Sequence, residues 1–529
     1  MGNCLQCSVF WRILLAIGRF FSGQVKSSAI LGGIRLTWRN AGTKRVLVAI
    51  GESDDPILHG SLLWRFFARL REALGNWRSA GTCVRESFLG RFGKGLLRWG
   101  SASRILGWLF RDGVTGILLV ILGLYAGVDW FLRDVLPVPL LSSTWDELLL
   151  ILCLVWILWQ RVDRHPVIGS RATPLDVFVA LFLMIGLMLM TLVSPFFSIA
   201  VSGYRAVCQY ILWFYAVTRL LRDDSDLKRL YGAMLVLAGL IALHGIYQYI
   251  VAVPIPEHWT DQAEESVRTR VFSIFGSPNI MADYMVMFAP MCAGLAYYTK
   301  NKLLKLTAWF FTFCMCFSCL FTMSRGGWVA MAVAILIFAL LVDRRLLLVM
   351  AVAFVAALFL PFVASRLGYL FTDDFARSTA NGGRGSRWQI GLTYLKNSNP
   401  ALGFGLGMFG GAVAMQHKIY HYISYFYIDN YYLKTLVEMG GVGLGAFIVM
   451  QLALLVTGCR SLYRAAKGGA RRPGSMYPLA AGIFSGLCGV LVHLYFENIF
   501  EEPYMLAYYW ILAAMLVYIG FFRQEKRTQ

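Results

Sequence analysis

Arginine, glycine and carboxylate concentrate in one polar stretch of an otherwise apolar chain: Arg384-Gly-Ser-Arg387-Trp388, then Asn399 to Gly407 with glycines 403, 405 and 407, then Asp429-Asn430. A guanidinium stays charged and offers a planar fork of donors, which suits phosphate and diphosphate oxygens. Glycine beside it lets backbone approach a ligand closely. Two further arginines have similar company, Arg325 in Ser324-Arg325-Gly326-Gly327 and Arg270 ahead of Ser277-Pro278-Asn279. Asp429 is a candidate base for an acceptor hydroxyl, since partial burial is what brings a carboxylate into working range. His421 is a second candidate; it follows His417 by four residues and would share a helical face with it. Plainer roles compete with each of these. Arg325 could anchor an interface by snorkelling, the glycine-rich stretch could be a solvated loop, Asp429 could cap a helix, and Arg270 could be an interfacial charge.

Metal chemistry has little support in the pattern. The two histidines lack an acidic residue placed as in a zinc motif, and Cys314, Cys316 and Cys319 lie in an apolar run without His or acidic company. Gly403-Phe-Gly405-Leu-Gly407 is loosely like a dinucleotide fingerprint, but it lacks the strand and helix around it.

The elements that must position these groups are membrane spans. With 58% hydrophobic and 15% charged residues in 529, the chain is too apolar for a soluble protein. Runs able to cross the hydrocarbon occur near 115–131, 143–159, 174–194, 199–218, 231–252, 279–299, 305–323, 327–342, 346–364, 430–457, 477–496 and 504–522. About twelve transmembrane helices are therefore expected, in an all-α polytopic membrane protein. Lys and Arg cluster in alternate loops and in the tail, which places both termini in the cytoplasm. Alternation then puts 253–278, the turn at Ser324, a long loop 365–429 between the ninth and tenth spans, and 497–503 on the far side. Arg205 and Lys434 fall within or near spans and should face protein or a water-filled cavity.

Residues 1–113 form a separate basic region, with seventeen Lys and Arg against six Asp and Glu. Interleaved aromatic and aliphatic residues suit an anionic leaflet, or else a solvated basic tail. No nucleic-acid-binding motif accompanies the charge.

Taken in order, Arg270 to Asn279, Ser324 to Gly327, Arg387-Trp388 with Asn399 to Phe409, and Asp429-Asn430 with Glu438-Met-Gly440 resemble the O-antigen ligase and Wzy-type polysaccharide polymerase superfamily, over about residues 115–520. The resemblance implies a GT-C-like, metal-independent, inverting glycosyltransferase, without cofactor, at the outer face of a bacterial cytoplasmic membrane. Its donor would be an undecaprenyl-diphosphate-linked glycan, and its acceptor a glycan or a lipid-linked glycan. By motif match, Arg325 corresponds to the family arginine on the donor diphosphate. The second falls on Arg387, with Arg384 as alternate, and Arg270, Asn279 and Asn430 complete the expected diphosphate-binding set. Lipopolysaccharide ligases carry His where this chain has Asp429, a departure that favours a polymerase or a Gram-positive-type relative. The competing reading is a multispan transporter or flippase of lipid-linked glycans, which would place charged or broken helices at the bilayer midplane.

Overall fold

The computed structural model describes residues 113–136, 138–163, 172–254, 269–368, 372, 384–417, 427–467 and 475–523, together with Gly95. The chain divides into two units, residues 1–113 with 155–169 and residues 114–154 with 170–529. In the first unit the described residues are Gly95, Gly113 and 155–163; the account below concerns the second. The basic region 1–112 lies, apart from Gly95, outside the described residues.

The described residues are helical, without a strand. In chain order the helices are α1 Gly113–Gly123, α2 Tyr125–Trp130, α3 Pro139–Asp163, α4 Asp176–Leu192, α5 Phe197–Cys208, α6 Leu212–Leu220, α7 Asp224–Val251, α8 Pro278–Tyr298, α9 Lys302–Phe321, α10 Arg325–Leu341, α11 Arg345–Leu358, α12 Pro361–Gly368, α13 Arg384–Asn397, α14 Ala412–His417, α15 Tyr431–Ala466, α16 Tyr477–His493 and α17 Pro503–Val517. Each apolar run read from the sequence is helical over most of its length. Among the described residues six helices are long and apolar enough to cross a membrane, or seven if the pair α1 and Tyr125–Val135, bent by 75°, counts as one span. The helices α4, α10, α11 and α16 are shorter but apolar.

Burial sorts the spans into centre and periphery. In α8 and in Pro503–Phe522, which continues α17, 89% and 94% of the most apolar window is buried, against 33% in α3 and α9. Along α9, Leu303, Leu306, Phe310, Phe313 and Phe317 are exposed. Their three- and four-residue spacing makes one outward apolar stripe, as lipid contact requires. Val177, Leu181, Met184, Met188 and Leu192 do the same on α4. The protein is a multipass membrane protein. At its centre α8 packs on α16, α9 and α10. A Cβ at Gly482 would stand 2.5 Å from the Pro290 carbonyl oxygen, so α16 approaches α8 through a surface that only glycine leaves free.

Within 365–429, expected as one polar loop, the described residues are largely structured. Besides α13 and α14, residues 399–411 fold back onto α15, which breaks at Gly440 (φ 64, ψ −172). Phe404 and Gly405 N–H groups donate to the Val437 and Glu438 carbonyls at 2.8 and 3.0 Å. Gly441 and Val442 N–H groups donate in turn to Pro400 and Ala401 at 2.9 and 3.0 Å. The loop thus supplies the partners that a broken helix loses. This accounts for the glycines that loosely resembled a nucleotide fingerprint: Gly403 (φ 82) abuts Gly440, and Gly407 (φ 74) abuts Gly203 of α5. They serve close backbone packing.

Candidate functional site

The site lies where α8, α10, α15 and α17 begin and α16 ends. Side-chain caps fix the first three of these helix starts. Ser277 Oγ accepts from Ile280 N–H with Pro278 in the first turn, Ser324 Oγ accepts from Gly327 N–H at 3.3 Å, and Asn430 Oδ1 accepts from Leu433 N–H at 2.9 Å. Each spares a helix start an orphan donor. Asn430, expected to contact the diphosphate, is 4% exposed and its carbonyl oxygen serves as this cap. The cap is therefore Asn430 and not its neighbour Asp429.

Arg325 opens α10, with two glycines behind it. A Cβ at Gly326 would meet Phe496 at 2.7 Å and the His493 ring at 3.2 Å, so the turn sits directly against residues 493–496. Arg270 comes to the same place from the hairpin before α8. Its Nε donates to the Thr322 carbonyl at 3.2 Å, and its terminal nitrogen reaches Asn279 Oδ1 at 3.4 Å. Gln248 Oε1 holds the hairpin by accepting from the Phe272 and Ser273 N–H groups at 3.1 and 2.7 Å. Burial lowers the Arg270 pKa to about 10; Glu497 opposes the shift, and the positive charges of Arg325 and Arg384 add to it. It remains a cation at neutral pH.

Both candidates for the second arginine meet at one carboxylate. Arg384 Nε is 3.1 Å and Arg387 Nη1 3.3 Å from Asp429 Oδ2. Arg387 also donates to the Tyr427 carbonyl at 2.7 Å. Among the described residues, Arg387 Nε and the Trp388 indole N–H are buried donors with no protein acceptor. The Trp388 ring stands edge-on to Tyr495 at 5.6 Å. A cluster of fixed cations with spare N–H donors has the chemistry to suit an anion with several oxygens.

Glu497 links the two halves of the cluster. Asn279 Nδ2 donates to Glu497 Oε2, and Asn498 N–H donates to Oε1 at 3.1 Å. Burial raises its pKa, as does the nearby Asp429, while Arg384 and His493 pull it down. Beneath lies a second pair, His493 Nδ1 against Asp283 Oδ1 at 3.0 Å, with side chains 1% and 0% exposed.

A buried triad supports this platform. Lys434 Nζ is 2.7 Å from Glu438 Oε2 and 2.9 Å from Glu501 Oε1. Phe409 N–H donates to Glu438 Oε1 at 3.1 Å, and Ala412 N–H to Glu501 Oε2 at 2.9 Å. Lys434 thus faces protein, as its position in an apolar helix requires. Arg205 instead pairs with Glu147, and its Nε donates to Gln209 Oε1 at 2.8 Å.

Arg270, Asn279, Arg325, Arg384, Arg387 and Asp429 therefore belong to one cluster. His417 ends α14, and His421 lies outside the described residues. Among the described residues no group of three or more His, Cys, Asp or Glu is placed to hold a metal ion. The cysteine triplet is strung along α9, where the Cys319 thiol donates to the Gly327 carbonyl at 3.7 Å. Sequence reading missed Glu497, the Asp283–His493 pair and the role of Glu501. One signal was available: three acidic residues, Glu497, Glu501 and Glu502, crowd into the turn between two apolar helices.

This architecture is that of a multipass membrane protein with a cluster of arginines and carboxylates where several of its helices begin or end. Residues 310–448 match the family model described as O-antigen ligase, which supports the O-antigen ligase and Wzy-type superfamily that the ordered motifs resembled. The matched segment runs from α9 into α15 and contains Arg325, Arg384, Arg387, Asp429 and Asn430. Arg270, Asn279 and Glu497 lie outside it. No curated protein matches the chain. The match suggests a membrane enzyme of glycosyl transfer, with lipid-linked glycan and acceptor as its general substrates.

Proposed function

We propose that the protein polymerises or ligates undecaprenyl-diphosphate-linked glycans at the outer face of a bacterial cytoplasmic membrane, acting foremost as a cell-surface polysaccharide polymerase. About twelve crossings with both termini in the cytoplasm put the arginine cluster outside. Residues 1–113 would rest on the anionic inner leaflet. One observation carries the reading: four arginines from three separate segments converge around Asp429 and Glu497, within or beside the segment that matches the family.

The lipid diphosphate would enter laterally between helices. Arg325 and Arg387, with Arg270 and Arg384 beside them, neutralise the charge that develops on the leaving diphosphate. The guanidinium groups can supply the charge that a divalent cation supplies elsewhere, so the transfer is proposed to run without metal. A single displacement by the acceptor hydroxyl inverts the anomeric centre. The transporter reading gains little from the broken helix α15, since its freed backbone groups are taken by residues 400–405 rather than left to coordinate a substrate.

Arg325→Ala, at normal protein level, should abolish transfer in cells; unchanged glycan length and transfer would refute the assignment. Lipid-linked intermediates from cells lacking the protein separate the two activities. Accumulated single repeat units indicate a polymerase and accumulated full-length chains a ligase. Unchanged glycans alongside a transport defect would exclude both.

A further inference from the structure

Two carboxylates face the arginine cluster, and their surroundings differ. Asp429 Oδ2 is shared by Arg384 and Arg387 at 3.1 and 3.3 Å. A carboxylate so engaged holds two guanidinium groups in place, and to accept a proton it would have to give them up. Glu497 is 5% exposed. Its hydrogen-bond donors are neutral, the Asn279 amide and the Asn498 N–H. It sits within electrostatic reach of Arg270 and Arg384, which are proposed to hold the diphosphate. Asn279 also receives the Arg270 guanidinium, so one amide aligns the carboxylate with a diphosphate-binding arginine.

We propose that Glu497 is the general base of the transfer and that Asp429 positions Arg384 and Arg387. This rests on the glycosyl-transfer reading above. The acceptor hydroxyl oxygen forms the new bond to the anomeric carbon of the donor sugar. The bond from that carbon to the diphosphate oxygen breaks, and its electron pair stays on the lipid diphosphate. The hydroxyl proton passes to the Glu497 carboxylate and from there to water outside. Burial and the negative charge of Asp429 both favour the protonated form of Glu497, which makes it a stronger base than a solvated carboxylate. The charged and titratable groups facing Glu497 are Arg270 from the α7–α8 hairpin, Arg384 of α13, Asp429 and Tyr427 before α15, His493 of α16, and Glu502 on its own turn.

The test uses full-length protein in nanodiscs, with donor extracted from cells lacking the protein, and measures sugar-free undecaprenyl diphosphate binding in parallel. Glu497→Gln should lower turnover roughly 100-fold or more, with undecaprenyl diphosphate affinity kept within about threefold. Glu497→Asp should retain part of the turnover and keep the acid limb of the pH profile. At saturating donor, Asp429→Asn should move that limb to lower pH, because it removes a charge that favours protonated Glu497. If Glu497→Gln fails to fold, Glu497→Asp decides the matter, by lowered turnover with diphosphate affinity and the acid limb retained. The proposal is overturned if Glu497→Gln, or Glu497→Asp in its place, turns over like wild type while Arg325→Ala is inactive; the glycosyl-transfer reading then stands. If Arg325→Ala is also fully active, the underlying reading falls as well.

Discussion

The most exacting consequence of the fold concerns Gly440. Its φ of 64° and ψ of −172° lie in a region that is essentially closed to residues with a Cβ, at a cost of about 1–3 kcal/mol. A Cβ there would also stand 2.5 Å from the Gly403 nitrogen and closer still to Ala401, so the 399–411 loop must shift. Shifting it forfeits the four backbone bonds between 400–405 and 437–442, each worth about 1 kcal/mol net. Gly440→Ala should therefore cost about 2–4 kcal/mol, through whichever route is cheaper. Gly441→Ala is the matched control, because its Cβ would have Pro400 O at 3.7 Å as its nearest neighbour, an ordinary contact. Thermal unfolding of purified protein, followed by tryptophan fluorescence, should show Gly440→Ala well below wild type and Gly441→Ala close to it. Amide hydrogen exchange across 399–411 should rise in Gly440→Ala alone. Identical melting and exchange in the two variants would refute the account of the broken helix.

Two other perturbations follow from the charges beside the site. Lys434→Met leaves Glu438 and Glu501 buried without their shared cation and should destabilise by about 3–5 kcal/mol; adding Glu438→Gln should recover part of this, and a melting series of the single and double variants checks it. Glu502, in the turn before α17, has its pKa raised from the ordinary 4.5 to about 7 by burial first and then by Glu501, Asp129 and Glu497. The folded protein thus keeps a proton that the unfolded chain has released, so stability is highest below about 4.5 and falls as pH rises through about 7. Melting temperature between pH 5 and 8 should trace this fall, and Glu502→Gln should flatten it.

Part of the site was legible because it rests on local rules. Serine before a helix start is a local cap signal, and Ser324 and Ser277 serve as caps in the structure, although the cap considered from the sequence was Asp429. The arginines stood out because a cation in an apolar chain needs a reason. Asp429 was legible as a polar group but not in its role, since what it pairs with is decided by α13 arriving beside it. The glycines of 403–407 misled for the same reason. Their spacing is compatible with a ligand loop, but the backbone they leave free is occupied by α15 and α5.

By itself the sequence determined that this is a helical membrane protein, which residues begin several of its helices, and that arginine, glycine and carboxylate gather in polar segments between spans. Those are consequences of apolar run length, capping chemistry and the cost of charge in lipid, all readable within a few tens of residues. Tertiary structure alone decided the pairings: Arg384 with Asp429 across 45 residues, His493 with Asp283 across 210, and Asn279 with Glu497 across 218. Such pairs depend on which helix ends converge, and convergence is set by the packing of α8, α10, α15, α16 and α17. No local pattern in the chain encodes it.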